Sequence, residues 1–207
     1  GKVVTVKYAQ ENWNSMSRQA KTIVKTLQGN KGERFVTHIG FSKPNTVRTI
    51  SSLWTEQFGI NRLFPGAPLY ILADYKRDYI GAKGATYYHY PFLDNKANTW
   101  LIVEAYKRYR IPVDFNLVQG FTEAMFIVQA IKNTKGDINA NTLISSMEGL
   151  SFETPNGQMT LRSSDHQAMQ DLFAIEYIDE KEHTWAANKL VRIIKKEEMD
   201  IPVKNNP

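Results

Sequence analysis

Arg34–Gly59 reads RFVTHIGFSKPNTVRTISSLWTEQFG, and the change of period inside it decides the fold class. Phe35–Ile39 is a short apolar run suited to a strand, and Gly40–Asn45 is a polar turn. Val47, Ile50, Trp54 and Phe58 then recur at three- and four-residue spacing, the period of a helix face, and Gly59 stops them. Strand, turn and helix make one unit of an α/β fold. A similar unit precedes it. Val3–Tyr8 alternates like a strand, and Met16, Ala20, Ile23 and Leu27 mark a helix with Asn14 or Ser15 as its cap and Gly29 just past its end. On the other side, Pro68–Leu72 reads as a third strand and Ala85–Tyr90 as a fourth. The alternation predicts an α/β architecture with a mainly parallel sheet.

Beyond Pro91 the texture changes. Phe92–Asn98 reads as a loop, after which Trp100, Val103 and Tyr106 give a helix face. Phe115–Thr134, FNLVQGFTEAMFIVQAIKNT, follows as the most apolar helix of the chain. Phe121, Ala124, Val128 and Ile131 form one stripe and Met125, Phe126 and Ile127 fill much of the remainder, so this helix requires burial on nearly every side. Its start, Asn116–Gly120, offers side-chain amides and open backbone at the positive end of a helix, where a polar ligand can be met. Ala140–Met147 is a shorter helix ending at Gly149. Phe152–Arg162 reads as a hairpin turning at Pro155-Asn156-Gly157, where Asn-Gly supplies positive φ. Leu172–Ile178 and Trp185–Ile194 read as two more strands, joined by the charged turn Asp179–His183.

The composition narrows the function classes. With 207 residues, 42% hydrophobic and 23% charged, the chain can bury a sizeable core. The net charge of +5 is spread out, and basic patches such as Lys76-Arg77 and Lys195-Lys196 are only two residues long, which argues against a nucleic-acid footprint. There is no cysteine, hence no disulfide, thiol chemistry or cysteine zinc site. The four histidines show no metal-ligand spacing, and Gly81, Gly84 and Gly120 make no phosphate-cradling loop. No run approaches the ~18–20 apolar residues that span a bilayer, and GKVVTVKYAQ lacks a signal-peptide plan, so the expectation is a cytosolic or an already processed chain.

Four stretches carry a resemblance: Arg34–Gly59; Gly84–Tyr109 (GATYYHYPFLDNKANTWLIVEAYKRY); the Phe115–Thr134 helix with its Gly120-Phe121 start; and Phe152–Gln167 (FETPNGQMTLRSSDHQ). The last, with Thr-Pro-x-Gly, a short strand and Asp-His-Gln, is the most specific. In order and spacing the chain resembles the later half of the leucine/isoleucine/valine-binding family, the type I periplasmic substrate-binding proteins of branched-chain amino acid ABC transporters. The resemblance implies two Rossmann-like lobes with a hinge and a ligand cleft between them, here without the N-terminal half. Residues 1–89 would belong to the second lobe, 90–165 to the helical part of the first, and 166–207 to strands and a tail returning to the second. It also implies that the helices after Asn95 lack a sheet to cover, consistent with a fragment, a cleaved product or one half of a two-chain assembly.

The site residues follow partly from the residues and partly from the resemblance. Gly40, Phe41, Ser42 and Asn45 join a strand to a helix, where open α/β sheets bind ligands, although a plain capped turn has the same look. Asp74 and Tyr75 lie just past the expected third strand, and the resemblance assigns a carboxylate near there to a ligand ammonium; a solvated loop acid is the alternative. Asn116, Gln119 and Phe121 are placed over the ligand by the resemblance, with Phe121 equally suited to a core. Asp165-His166 lacks a nucleophile motif such as G-x-S-x-G and is structural in the family, so no enzyme is expected. The expected partners are a small-molecule ligand, an ABC permease and the missing half as a separate chain, with no nucleic acid and no cofactor. The expected location is the periplasm or, as a lipoprotein, the cell surface. The alternative function is a ligand-sensing regulatory or receptor domain of the same fold.

Overall fold

The computed structural model describes residues 2–8, 10, 12–37, 58–179 and 188–203. The chain divides into two compact units, Gly1–Gly84 with Glu176–Lys189, and Ala85–Ile175 with Leu190–Pro207.

In the first unit, α1 spans Trp13–Gln28. Its cap is Asn12 rather than Asn14 or Ser15: the Asn12 carboxamide oxygen accepts from the Ser15 amide at 2.9 Å, satisfying a donor the first turn leaves free. Met16, Ala20, Val24 and Leu27 of α1 form a buried cluster with Ile60, against which Ile23, Val36 and Phe58 pack. Strands β1 (Arg34–Thr37) and β2 (Ile60–Pro65) pair in parallel, Arg34 opposite Ile60. The five-stranded sheet runs β1-β2-β3-β7-β8, where β3 is Lys83–Thr86, β7 is Leu172–Tyr177 and β8 is Asn188–Ile194.

Two expected strands are corrected here. Lys2–Tyr8 is not a strand: Val3 and Val6 are exposed. Among the described residues no strand pairs with it, and an unpaired strand leaves its backbone groups unsatisfied. Pro68–Leu72 is not a strand either. Leu69–Tyr79 is helix α2, and its buried residues Leu69, Leu72 and Tyr79 fall on one face at helical spacing. The apolar run Leu-Tyr-Ile-Leu is too short for its period to be read alone. The strand expected there is β2, whose Asn61 and Arg62 interrupt its apolar pattern; both side chains bond to carbonyls, of Arg34 at 3.5 Å and Ile80 at 2.7 Å. The stretch 38–57, with its turn and most of its helix, lies outside the described residues.

In the second unit α3 (Lys96–Tyr109), α4 (Phe115–Asn133) and α5 (Ala140–Met147) follow one another without strands between them. Leu101 and Ala105 of α3 pack with Tyr88, Val113 and Val118 as one core cluster. The buried face of α3 is thus Asn98, Leu101 and Ala105, while Trp100, Val103 and Tyr106, the expected core face, are exposed. Helix α4 is likewise buried on one side only, along Val118, Thr122, Phe126 and Ala130. Ala124, Ile127 and Val128 face solvent, so the expectation of burial all round is not met by this chain.

The hairpin forms as expected from β4 (Ser151–Thr154) and β5 (Gly157–Leu161), with the short β6 (Ala168–Met169) completing an antiparallel sheet. At its turn only Gly157 takes positive φ, +87°, while Pro155 supplies the fixed φ of the first corner. The Phe152 ring meets Phe126 of α4 edge-on at 4.7 Å. Asp165 is held by Arg162 through two bonds of 2.7 and 2.6 Å, and Arg162 also donates to the Ile201 carbonyl at 2.9 Å. His166, at φ +58°, has Nε2 at 3.0 Å from Glu148. These bonds fix the turn before β6 and bind the tail to it.

Candidate functional site

Strand β3 ends at Thr86, and Tyr87–Phe92 leave its carboxyl end as an aromatic turn rather than a longer strand. Carboxyl ends of strands in open sheets point free backbone groups toward a ligand. The Thr86 hydroxyl donates to the Tyr88 carbonyl at 3.0 Å, which folds the turn back on itself. Tyr88 is consequently buried, and Tyr87 is directed to the start of α4.

There the Tyr87 hydroxyl lies 2.9 Å from the Phe115 carbonyl oxygen and 3.2 Å from Oε1 of Gln119. The ring packs against Phe115 at 5.5 Å. Gln119 in turn donates through Nε2 to Glu123 at 2.9 Å, a one-turn step along the helix. Burial, together with the Asp114 and Glu123 carboxylates, pushes the Tyr87 hydroxyl up to about 12. It therefore keeps its proton and acts as a donor over the ordinary pH range. One proton cannot serve two acceptors, so the row Phe115 carbonyl, Gln119 oxygen and Glu123 carboxylate retains spare accepting capacity. Such a row suits a ligand group that carries N–H or O–H.

Asn116 is exposed on the same side of α4 as Gln119 and Glu123, since positions three and four apart share a helix face. The helix start itself is capped by Asp114, whose carboxylate accepts from the Leu117 amide at 3.0 Å. Part of the donor capacity assigned to this helix end is thereby already used. Phe121 lies two positions from Gln119, about 200° around the helix by its 3.6-residue turn. It stacks on Trp100 at 5.5 Å with an interplanar angle of 30°, and so is not brought together with Gln119. Asp74 lies within α2 and is exposed, not in a loop past a strand, and Tyr75 is its neighbour in the same helix. Gly40, Phe41, Ser42 and Asn45 lie outside the described residues. Tyr87 and Glu123 are not among the site residues expected from the sequence. The i, i+4 spacing of Gln119 and Glu123 was a visible signal, whereas the approach of Tyr87, 32 residues from Gln119, is a product of tertiary folding.

Among the described residues no group of three or more His, Asp or Glu side chains is placed to hold a metal ion. Among those residues no helix is long and apolar enough to cross a membrane.

The family model described as "Periplasmic binding protein" matches residues 39–182, more than half of the chain. No curated protein matches the chain. Among solved structures, an ABC-type branched-chain amino acid transporter protein from Rhodopseudomonas palustris is 33% identical with a TM-score of 0.82, over 93% of this chain and 51% of that one. A solute-binding protein from R. palustris in complex with benzoate is 19% identical with a TM-score of 0.69, over 93% and 50%. A leucine-binding protein from Thermotoga maritima is 13% identical with a TM-score of 0.71, over 94% and 51%. The chain therefore spans about half the length of these structures. Its mixed α/β architecture is that of the type I periplasmic binding proteins, and by the extent of the family match this chain belongs to the periplasmic binding protein family.

Proposed function

We propose that the protein serves as the solute-binding component of an ABC importer, holding a small polar ligand and presenting it to a membrane permease. The observation that carries this reading is the acceptor row formed by the Phe115 carbonyl, Gln119 and Glu123, set by Tyr87 at the start of α4, in a chain of this family. The row favours a ligand with an ammonium, amide or phenolic hydroxyl group. An amino acid, an amide or a hydroxylated aromatic acid has that chemistry. Asp74 and Tyr75, with Gly40, Phe41, Ser42 and Asn45, are proposed as ligand contacts from the other lobe. Residues 1–89 and 166–207 are assigned to one lobe and 90–165 to the other.

Binding of this kind needs no reaction. Differential affinity for a closed arrangement shifts the population of the two states; the proposed role is non-enzymatic, in the periplasm or at the cell surface, in keeping with the family. The test is a thermal-shift screen of the full-length protein against amino acids, amides, urea and aromatic acids. A stabilising ligand is expected, because a ligand that binds the folded state alone raises the melting temperature. No shift with any of them would remove the transport reading.

A further inference from the structure

The turn of the β4–β5 hairpin takes no part in the candidate site, yet it does not lie at the surface. Thr154 and Pro155 are fully buried and Asn156 is 4% exposed, whereas the tip of a hairpin ordinarily meets water. The Thr154 hydroxyl donates to the Gly157 carbonyl at 2.9 Å and accepts from the Asn156 amide at 3.1 Å, which makes the turn a fixed block. It lies against the segment that follows the aromatic turn. Asn95 donates through Nδ2 to the Pro155 carbonyl at 3.4 Å, and a methyl on Gly157 would sit 3.9 Å from the Leu93 side chain.

Asn95 also caps α3, its side-chain oxygen accepting from the Asn98 amide at 2.8 Å. Asn98 is wholly buried and uses its entire carboxamide on the aromatic turn: Nδ2 donates to the carbonyls of Tyr90 and Leu93, and Oδ1 accepts from the Tyr88 hydroxyl. With the oxygen and the nitrogen both engaged, the group has one orientation. Tyr87 and Tyr88 are consecutive, and while the Tyr88 hydroxyl reaches Asn98 on α3, the Tyr87 hydroxyl reaches the start of α4. The backbone carrying Tyr87 is therefore gripped through its neighbour. A contact residue holds its geometry to within about 0.5 Å only when hydrogen bonds behind it lock its position.

We propose that Asn98 is a positioning residue for solute binding: backed by the buried Thr154–Asn156 turn through Asn95, it holds Tyr88 and thereby aims the Tyr87 hydroxyl at the Phe115 carbonyl and Gln119. This rests on the reading that the Tyr87, Gln119 and Glu123 row contacts the solute. The hairpin turn then serves the site without touching the solute.

The test places meta-fluorotyrosine at Tyr87 of the full-length protein and follows its ionisation by fluorine NMR with no ligand present; fluorination lowers the phenol pKa and keeps the titration in a range the fold tolerates. In the otherwise wild-type protein the ring should ionise well above free fluorotyrosine, because burial and the Asp114 and Glu123 carboxylates raise it. Tyr88→Phe should bring the titration part of the way back and Asn98→Leu further, since a ring no longer held at the row regains water. The double variant should move it no further than Asn98→Leu, because both changes act through one bond. Arg162→Leu, which breaks bonds elsewhere in the same unit, should leave it in place. A titration unmoved by both Tyr88→Phe and Asn98→Leu overturns the proposal, and so does equal movement in Arg162→Leu, which would make lost stability the cause. Calorimetric titration with para-hydroxybenzoate, benzamide and leucine follows. Whichever of them binds the wild type should bind Asn98→Leu about fivefold or more weakly, and undiminished affinity overturns the proposal. Failure of all three to bind the wild type counts against the solute-binding role itself, and the fluorine titration separately decides whether Asn98 aims Tyr87.

Discussion

The hydroxyl of Tyr88 donates to Oδ1 of Asn98 at 2.7 Å, with both side chains buried. The Asn98 amide nitrogen closes the arrangement by donating to the carbonyls of Tyr90 at 3.0 Å and Leu93 at 2.6 Å. This one asparagine ties the aromatic turn after β3 to the first turn of α3, which Asn95 caps through the Asn98 amide at 2.8 Å. Tyr88→Phe leaves a buried oxygen without its donor and is expected to cost about 1–3 kcal/mol. Asn98→Leu orphans the Tyr88 hydroxyl and two carbonyls and should cost at least as much. Urea denaturation of the two variants measures both losses.

His89 is buried against the Phe92 ring, 4.6 Å away, and its Nε2 has no hydrogen-bond partner. Burial lowers its pKa from 6.5 to about 4. The folded state therefore disfavours the imidazolium, and the unfolded chain binds the extra proton first. The stability contributed by neutral His89 is complete above pH 6.5 and is lost as the pH falls toward 4. At about 1.4 kcal/mol per unit the loss is on the order of 3 kcal/mol. Melting temperatures recorded across that window should fall for the wild type and fall less steeply for His89→Gln.

Two glycines are expected to respond in opposite senses to alanine. A methyl on Gly84 would lie inside contact distance of the Phe64 carbonyl oxygen on the neighbouring backbone. Backbone cannot yield as a side chain can, so Gly84→Ala should destabilise by about 3 kcal/mol or more. A methyl on Gly120, within α4, meets nothing within 4 Å. Gly120→Ala should stabilise the helix by about 0.5–1 kcal/mol. Chemical denaturation of the two variants side by side checks both signs.

Arg162 anchors the tail as well as the turn. Replacing it with Leu breaks both bonds to Asp165 and the bond to the Ile201 carbonyl. The expected outcome is faster amide exchange at 199–203 with the helices unaffected, read by hydrogen–deuterium exchange.

What the sequence made legible was mostly local. The Pro155-Asn156-Gly157 turn, the α1 face and the helix at Ala140–Met147 depend on neighbours a few residues apart, and each forms where expected, with α1 burying Val24 rather than Ile23. Leu69–Leu72 went wrong because four apolar residues fit either period. Ile60–Pro65 was missed because Asn61 and Arg62 break the pattern and are compensated by carbonyls far along the chain. Trp100 and Val128 were read as core because apolar stripes announce burial without saying what covers them. At the candidate site, Asn116 and Gln119 were expected from their place at a helix start, and Gln119 is the one that meets Tyr87. Tyr87 was not, because no spacing rule connects it to Phe115. The resemblance to the branched-chain binding family added what periodicity alone lacks, and the family match agrees with it.

The central claim is that the Tyr87, Gln119 and Glu123 row contacts the solute. Isothermal titration of the full-length protein with a ligand found by the thermal-shift screen, repeated with Gln119→Ala and Glu123→Gln, tests it most directly. The account expects each variant to weaken binding about tenfold or more, equivalent to about 1.4 kcal/mol, with the melting temperature of the unliganded protein little changed. Wild-type affinity in both variants would contradict it.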